Sequence, residues 1–295
     1  MLSILIPTYN YDVYPLVSEL HKQCLECGIE FQIIVFDDCS KQYLDENQKI
    51  NNLSKCQFFI SDKNSGRTST RNKLAHKADF KWLLFLDADV IPVNSDFISK
   101  YLSFIDEQYQ VVFGGYCYDK DTKPKRECRF RYKYGKEREE KTASERNLEP
   151  YKYIFSGNLL ILKKTFLATN YPHKDAHYGM DIYFAYQLFF NKTKILHIEN
   201  PIYHLGLETN EIFFKKSILA VESRKKFLID CEQIEKISPL IKHYKTIKKY
   251  GLLPIAILFF KITEPILKKR IFNKNPSLFC FDIYRLGYLC SIRNV

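Results

Sequence analysis

Lys81-Trp82-Leu83-Leu84-Phe85-Leu86-Asp87-Ala88-Asp89 decides how this chain of 295 residues folds. Five consecutive apolar residues without alternation describe a strand buried on both faces. Such strands belong to parallel sheets covered by helices on either side. The run stops at two carboxylates two residues apart, where the chain leaves the strand.

The same pattern repeats outward. Residues 3–6, 31–36, 57–60 and 110–113 read as further apolar strands, the second ending in Asp37-Asp38-Cys39-Ser40 and the last in Gly114-Gly115. Amphipathic helices lie between them. Asp12 caps one that has Pro15 in its first turn and Val13, Leu16, Val17, Leu20 and Cys24 on its apolar face. A turn at Gly66 leads into another through Asn72, Leu74 and Ala75, and Ser95 caps a third. This alternation predicts an α/β fold, a Rossmann-like, mainly parallel sheet flanked by helices. In such sheets ligands bind beyond the carboxyl ends of the strands. Asp37/Asp38, Asp87/Asp89 and Gly114/Gly115 all fall there, so the active edge is expected on that side.

Composition narrows the function classes. With 46% hydrophobic and 27% charged residues the chain has ample material for a core, which excludes a disordered or fibrous protein. None of its ten glycines forms GxGxxG or GxxxxGK[ST], so the dinucleotide and P-loop fingerprints are absent. A net charge of +11 points to an anionic partner. The nine cysteines sit mostly in apolar stretches and read as reduced thiols of a cytosolic protein; Cys24 and Cys27 form a CxxC with no second pair at zinc-finger spacing. No secretory leader is read at the start, and the apolar run 252–260 is too short to span a membrane.

Asp87 and Asp89 can converge on one hard divalent cation, Mg²⁺ or Mn²⁺, of the kind shared with substrate phosphates; alone, such a pair also fits an ordinary turn. Three further blocks accompany it: Leu5-Ile6-Pro7-Thr8-Tyr9-Asn10, Val35-Phe36-Asp37-Asp38-Cys39-Ser40, and Asn64-Ser65-Gly66 with Thr70-Arg71-Asn72. In order and spacing the four resemble family 2 glycosyltransferases of the GT-A fold over roughly the first 205 residues.

That resemblance implies an inverting, hexosyltransferase-type enzyme using a nucleotide-diphospho-sugar, a UDP-sugar first, with Mn²⁺ or Mg²⁺. It implies that Pro7 and Tyr9 line the base, that Asp38 accepts a hydrogen bond from it, and that Arg71 lies near the diphosphate or sugar. Asp87 would approach the ribose and the metal's waters, and Asp89 would ligate the metal. Gly157 and Asn158, in Phe155-Ser156-Gly157-Asn158, resemble the acceptor-side segment. Asp181, in Gly179-Met180-Asp181-Ile182, resembles the general base, although Met180 stands where the family has Glu. A helix-terminal carboxylate is the other reading of Asp181. His204 resembles a late metal or diphosphate ligand and can equally be a packed side chain; His173 and His177 read only as loop residues.

The sequence divides into a catalytic domain, 1–207 (nucleotide-sugar half 1–115, acceptor half 116–207), and a helical region, 208–295. A helix is expected over 181–190, short strands over 194–198 and 202–205, and helices over 211–228, 232–250 and 254–272. Residues 120–146 carry eleven Lys or Arg against six Asp or Glu, and read as a solvated loop or helix or as a flap over an anionic substrate. Residues 242–274 carry nine basic residues and one acid around an apolar run, which suits either an anionic membrane surface or a packed helix with a basic face. The expected acceptor is a saccharide, lipid-linked, in surface polysaccharide assembly, with the enzyme cytoplasmic and peripheral on the inner face of the cell membrane. Nucleic acid is not expected as a partner. A basic nucleic-acid binder leaves the strand-end carboxylates without a role, and a nucleotidyltransferase normally needs a glycine-rich triphosphate loop that is lacking here.

Overall fold

The computed structural model describes residues 1–105, 108–119, 123–172 and 177–292. Ten strands form two sheets: β1 (Leu2–Thr8), β2 (Phe31–Asp37), β3 (Cys56–Ile60), β4 (Trp82–Leu86), β5 (Val90–Pro92), β6 (Val111–Phe113), β7 (Tyr116–Cys117), β8 (Asn158–Leu162), β9 (Ile195–His197) and β10 (Ile202–His204). The large sheet runs β3-β2-β1-β4-β8-β6-β9, and β8 alone is antiparallel to its neighbours. This is the mainly parallel, helix-flanked α/β sheet of the sequence reading. The expected strands 3–6, 31–36, 57–60, 81–86 and 110–113 all form, each shifted at its ends by no more than two residues. The small sheet, β5-β10-β7, pairs His204 with Val90, just beyond Asp89.

Packing groups the chain into two compact units. The first comprises Met1–Tyr118, Glu140–Ala176 and Gln187–Gly206; the second comprises Asp119–Glu139, His177–Tyr186 and Leu207–Val295. The first holds both sheets. Its helix Tyr14–Glu26 starts one residue later than expected: Val13 is the N-cap, and Asp12 instead accepts from the Tyr14 N–H at 3.1 Å. Likewise Asp96, not Ser95, precedes the helix Phe97–Leu102.

The charged stretch 120–146 is largely helical where it is described. Residues 120–122 lie outside the described residues, and Arg129–Tyr134 and Ala143–Leu148 are helices, the latter with a Thr142–Glu145 capping box. Arg146 is no surface charge. It is fully buried, and its Nη2 donates to the carbonyls of Gly114 (3.2 Å) and Ile198 (2.7 Å), which ties the ends of β6 and β9 together. Only a backbone without Cβ tolerates it, since a Cβ on Gly115 (φ +96°) would stand 2.5 Å from Nη1.

The second unit contains the helices Asn210–Leu228, Pro239–Lys249, Leu253–Ile271 and Leu278–Ser291. Thr209, Ser238 and Ser277 cap three of them by accepting from backbone N–H groups at N3. The helix expected from residue 232 begins only at Pro239, where Ser238 and a proline at N1 set the start. The last helix was not anticipated from sequence. It packs on Leu253–Ile271 because Gly287 lets Phe260 approach; a Cβ there would meet the ring at 2.4 Å. All nine cysteines are free thiols.

Candidate functional site

Thr8 and Asp37 are register partners at the ends of β1 and β2, so Tyr9 and Asp38 leave adjacent strands together. Tyr9 is 53% exposed, an aromatic face standing open at the sheet edge. Pro7 still lies within β1, opposite Phe36. The two aspartates after β2 divide the work. Asp37 is buried and accepts from the Ser40 N–H at 2.7 Å and from its hydroxyl, closing the turn through Cys39 (φ +70°). Asp38 accepts the Ser65 N–H on Oδ1 and the Gly66 N–H on Oδ2, both at 2.8 Å. Asp38 therefore anchors the turn that opens helix Arg67–Lys77, and each of its oxygens keeps a lone pair for a further donor.

That helix projects Arg67 and Arg71, four residues apart, toward Asp87. Arg71 pairs with Oδ1, and Arg67 Nη2 lies 3.5 Å from Oδ2. Burial opposes ionisation of Asp87. Arg67, Arg71 and His204 outweigh it and hold the carboxyl below the usual carboxylate range. Arg71 Nε is buried without a hydrogen-bond partner.

Gly157 explains how this carboxylate fits. A Cβ there would stand 2.3 Å from Asp87 Oδ2 and 2.2 Å from the Tyr116 hydroxyl. The glycine clears space for Asp87. Asn158 is fully buried. Its Nδ2 donates to the carbonyls of Gly115 (2.8 Å) and Asn200 (3.0 Å), and its Oδ1 accepts from Tyr101 at 2.7 Å, so its amide is engaged within the fold.

Asp89 sits in a comparable cradle. A Cβ on Gly206 would stand 1.9 Å from its Oδ2, and the Leu205 N–H donates to its carbonyl at 2.8 Å. His204 Nε2 is 3.8 Å from Oδ2, too far for a hydrogen bond, while Tyr118 stacks on the imidazole at 5.8 Å. His204 Nδ1 is buried without a partner. Two ligand atoms each about 2.1 Å from one ion can be separated by such a distance. The Asp89 oxygen and the His204 nitrogen thus fit a hard divalent cation. Among the described residues no three His, Cys, Asp or Glu side chains converge. Asp87, whose oxygens meet two guanidinium groups, is held beside this pair. Arg67, Gly206 and Tyr118 escaped the sequence reading; only their spacing to Arg71, or their proximity in space, marks them.

Asp181 belongs to the second unit and opens the helix Asp181–Phe190. Gly179 (φ +75°) precedes it, packed where a Cβ would be 2.4 Å from the Ala220 Cβ, and Met180 is buried. His177 packs edge-on to Phe227 at 4.7 Å, and His173 lies outside the described residues.

Solved structures share the fold of this chain. TarS from S. aureus, solved with UDP-GlcNAc, aligns at 17% identity and TM-score 0.54 over 98% of this chain and 89% of that one. The mannosyltransferase PcManGT from Pyrobaculum calidifontis, in complex with GDP-Man and Mn²⁺, aligns at 14% identity and TM-score 0.57 over 98% and 85%. GalNAc-T7 with UDP, GalNAc and Mn²⁺ aligns at 17% and TM-score 0.51 over 70% and 43%. At such identities these likenesses show the fold. No curated protein matches by sequence. The model of Glycosyl transferase family 2 matches residues 3–166, more than half of the chain, and the protein belongs to that family.

Proposed function

We propose that this glycosyltransferase is divalent-metal-dependent and inverting, moving a hexose from a nucleotide-diphospho-sugar, a UDP-sugar first, to a saccharide acceptor. The observation that carries the reading is the Asp89–His204 pair beside the arginine-held Asp87, all at the end of β4 and in glycine-made space. Tyr9 and Pro7 supply the face for the base, and Asp38 receives its N–H. Arg67 and Arg71 set positive charge where a diphosphate arrives, and Asp87 holds both guanidinium groups in position. Asp89 and His204 would hold Mn²⁺ or Mg²⁺, which when bound neutralises charge on the departing diphosphate. Asp181 takes the proton of the acceptor hydroxyl as its oxygen attacks the anomeric carbon opposite the leaving group, and a single in-line displacement inverts that centre.

Thermal unfolding with a panel of nucleotide sugars, with and without Mn²⁺, tests the donor reading. A donor at 100 times its Kd adds about 2.7 kcal/mol, a rise of roughly 5 °C or more for a protein of this size. No response to any nucleotide sugar overturns the donor reading; an equal response in chelator overturns the metal alone.

The acceptor we propose is a lipid-linked saccharide of surface polysaccharide assembly, met at an anionic membrane surface. No helix among the described residues is long and apolar enough to cross a membrane. Leu253–Ile271 instead carries an apolar stripe, Ile255, Leu258, Phe259, Ile262 and Ile266, each 54–66% exposed. Lys261, Lys269 and Arg270 are exposed beside it. Phe260, within the apolar run read from sequence, is not part of this stripe, since it is buried against Tyr284. Lys268 is also engaged, 2.9 Å from Glu264. Binding to anionic vesicles should weaken with salt but persist, because apolar burial is not screened. Replacing Lys261, Lys269 and Arg270 by Gln should flatten the salt slope, and Phe259→Ser with Ile262→Ser should remove the salt-resistant part. If the unaltered protein stays in the supernatant at low salt, the membrane reading fails.

A further inference from the structure

Tyr9 is bracketed by hydrogen bonds to the segment that carries Asp38. On one side the Asp38 N–H donates to the Thr8 carbonyl at 2.9 Å. On the other, the Asn10 N–H donates to Ser40 Oγ at 2.7 Å, and Asn10 Oδ1 accepts from the Lys41 N–H at 2.8 Å. The Ser40 hydroxyl in turn donates to the buried Asp37, which orients its oxygen to accept from Asn10. Asn10 has φ +50°, a left-handed conformation that asparagine adopts more readily than most residues. One residue further, the Tyr11 carbonyl accepts from Asn47 Nδ2 at 2.9 Å. The loop after β1 is thus fixed on both sides of Tyr9, although the residue itself is 53% exposed.

The last register pair of β1 and β2 is Thr8 with Asp37, and the backbone ladder between them ends at the Asp38 N–H. Beyond it the two loops are held to each other by the side chains of Asn10 and Ser40. A base that stacks on a ring and donates to a carboxylate needs the two at a fixed separation. A loop already ordered before its ligand arrives also loses less freedom on binding. We infer that Asn10 and Ser40 are positioning residues for the nucleotide: acting through Tyr9, they set its distance from Asp38 and thereby the affinity for the nucleoside part of the donor. The inference rests on the roles proposed above for Tyr9 and Asp38, and adds the device that keeps them in register.

Calorimetry of UDP binding to the full chain in the presence of Mg²⁺ tests this. Asn10→Gly keeps the positive φ and loses the acceptor for the Lys41 N–H, and it should weaken UDP about tenfold, the contribution of one hydrogen bond. Ser40→Ala removes the other bond and should weaken UDP at least as much. Asn10→Asp retains an acceptor oxygen and should bind UDP nearly as the parent does. A double-mutant cycle separates positioning from a merely structural role. In a Tyr9→Ala background, itself weakened for UDP, Asn10→Gly should cost little more, because the residue it acts through is already gone. If Ser40→Ala does not fold, the Asn10 variants carry the comparison. Parent-like UDP affinity of Asn10→Gly, or the same loss with and without the Tyr9 ring, overturns the inference. Unchanged UDP affinity of Tyr9→Ala alone strikes the base reading and the inference with it, whereas no UDP binding by the unaltered protein strikes the donor reading itself.

Discussion

Asp89→Ala abolishes transfer and removes the divalent-ion dependence of nucleoside-diphosphate binding, while the protein remains folded. Two facts make this the largest expected effect. In the proposed site Asp89 is the carboxylate and His204 the nitrogen, so deleting the carboxylate leaves a single imidazole, which is a poor site for a hard cation. Asp89 is also on a turn after β4 and not in the core, so its loss costs little stability. Gly206→Ala should reproduce the defect with Asp89 still present, because its Cβ would occupy the position of the carboxylate. Calorimetry of UDP binding with and without Mn²⁺ reads the outcome. Undiminished transfer by Asp89→Ala in excess chelator would sink the metal assignment.

Asp181→Asn lowers transfer by about 10²-fold or more, the usual contribution of a positioned base. The amide keeps the shape of the carboxylate and cannot take the acceptor's proton. Donor affinity should be unchanged, since Pro7, Tyr9, Asp38, Arg67, Arg71 and Asp89 are all retained. The effect should therefore appear in kcat, with the Mn²⁺-dependent thermal shift preserved. Transfer at the parent rate would place the base elsewhere, and loss of donor binding together with activity would show that Asp181 supports the fold.

Much of the fold was legible in the chain because of one physical circumstance. Strands in the middle of a helix-covered parallel sheet are buried on both faces, so Trp82–Leu86 and residues 33–36 appear as unbroken apolar runs, each followed at once by a carboxylate. The carboxylates themselves were legible for the same reason, since a charge ends such a run. Their division of labour was not. Asp87 and Asp89 are both plausible metal ligands in sequence, and only the arrival of Arg67 and Arg71 from a separate helix commits Asp87 to them. The burial of Asn158 was not legible either: a polar residue after a glycine resembles a ligand contact, and only the packing shows its amide bonded to Gly115, Asn200 and Tyr101.

The helix Leu253–Ile271 marks the boundary most clearly. Its residues are apolar around most of its circumference, so periodicity cannot state which face is covered. Sequence by itself determined that this segment is helical, basic and too short to span a membrane, just as it determined the succession of β1 to β4 along the chain and the carboxylates that follow β2 and β4. These are local properties: hydrophobic runs, caps, prolines and charge. Tertiary structure decided which residues face what. Gly287 admits Phe260 and thereby leaves Ile255, Leu258, Phe259, Ile262 and Ile266 outside; Gly206 and Gly157, more than 60 residues from their partners in sequence, clear the space for Asp89 and Asp87. A glycine's neighbours across space are set by the packing of distant segments, and no spacing along the chain encodes them.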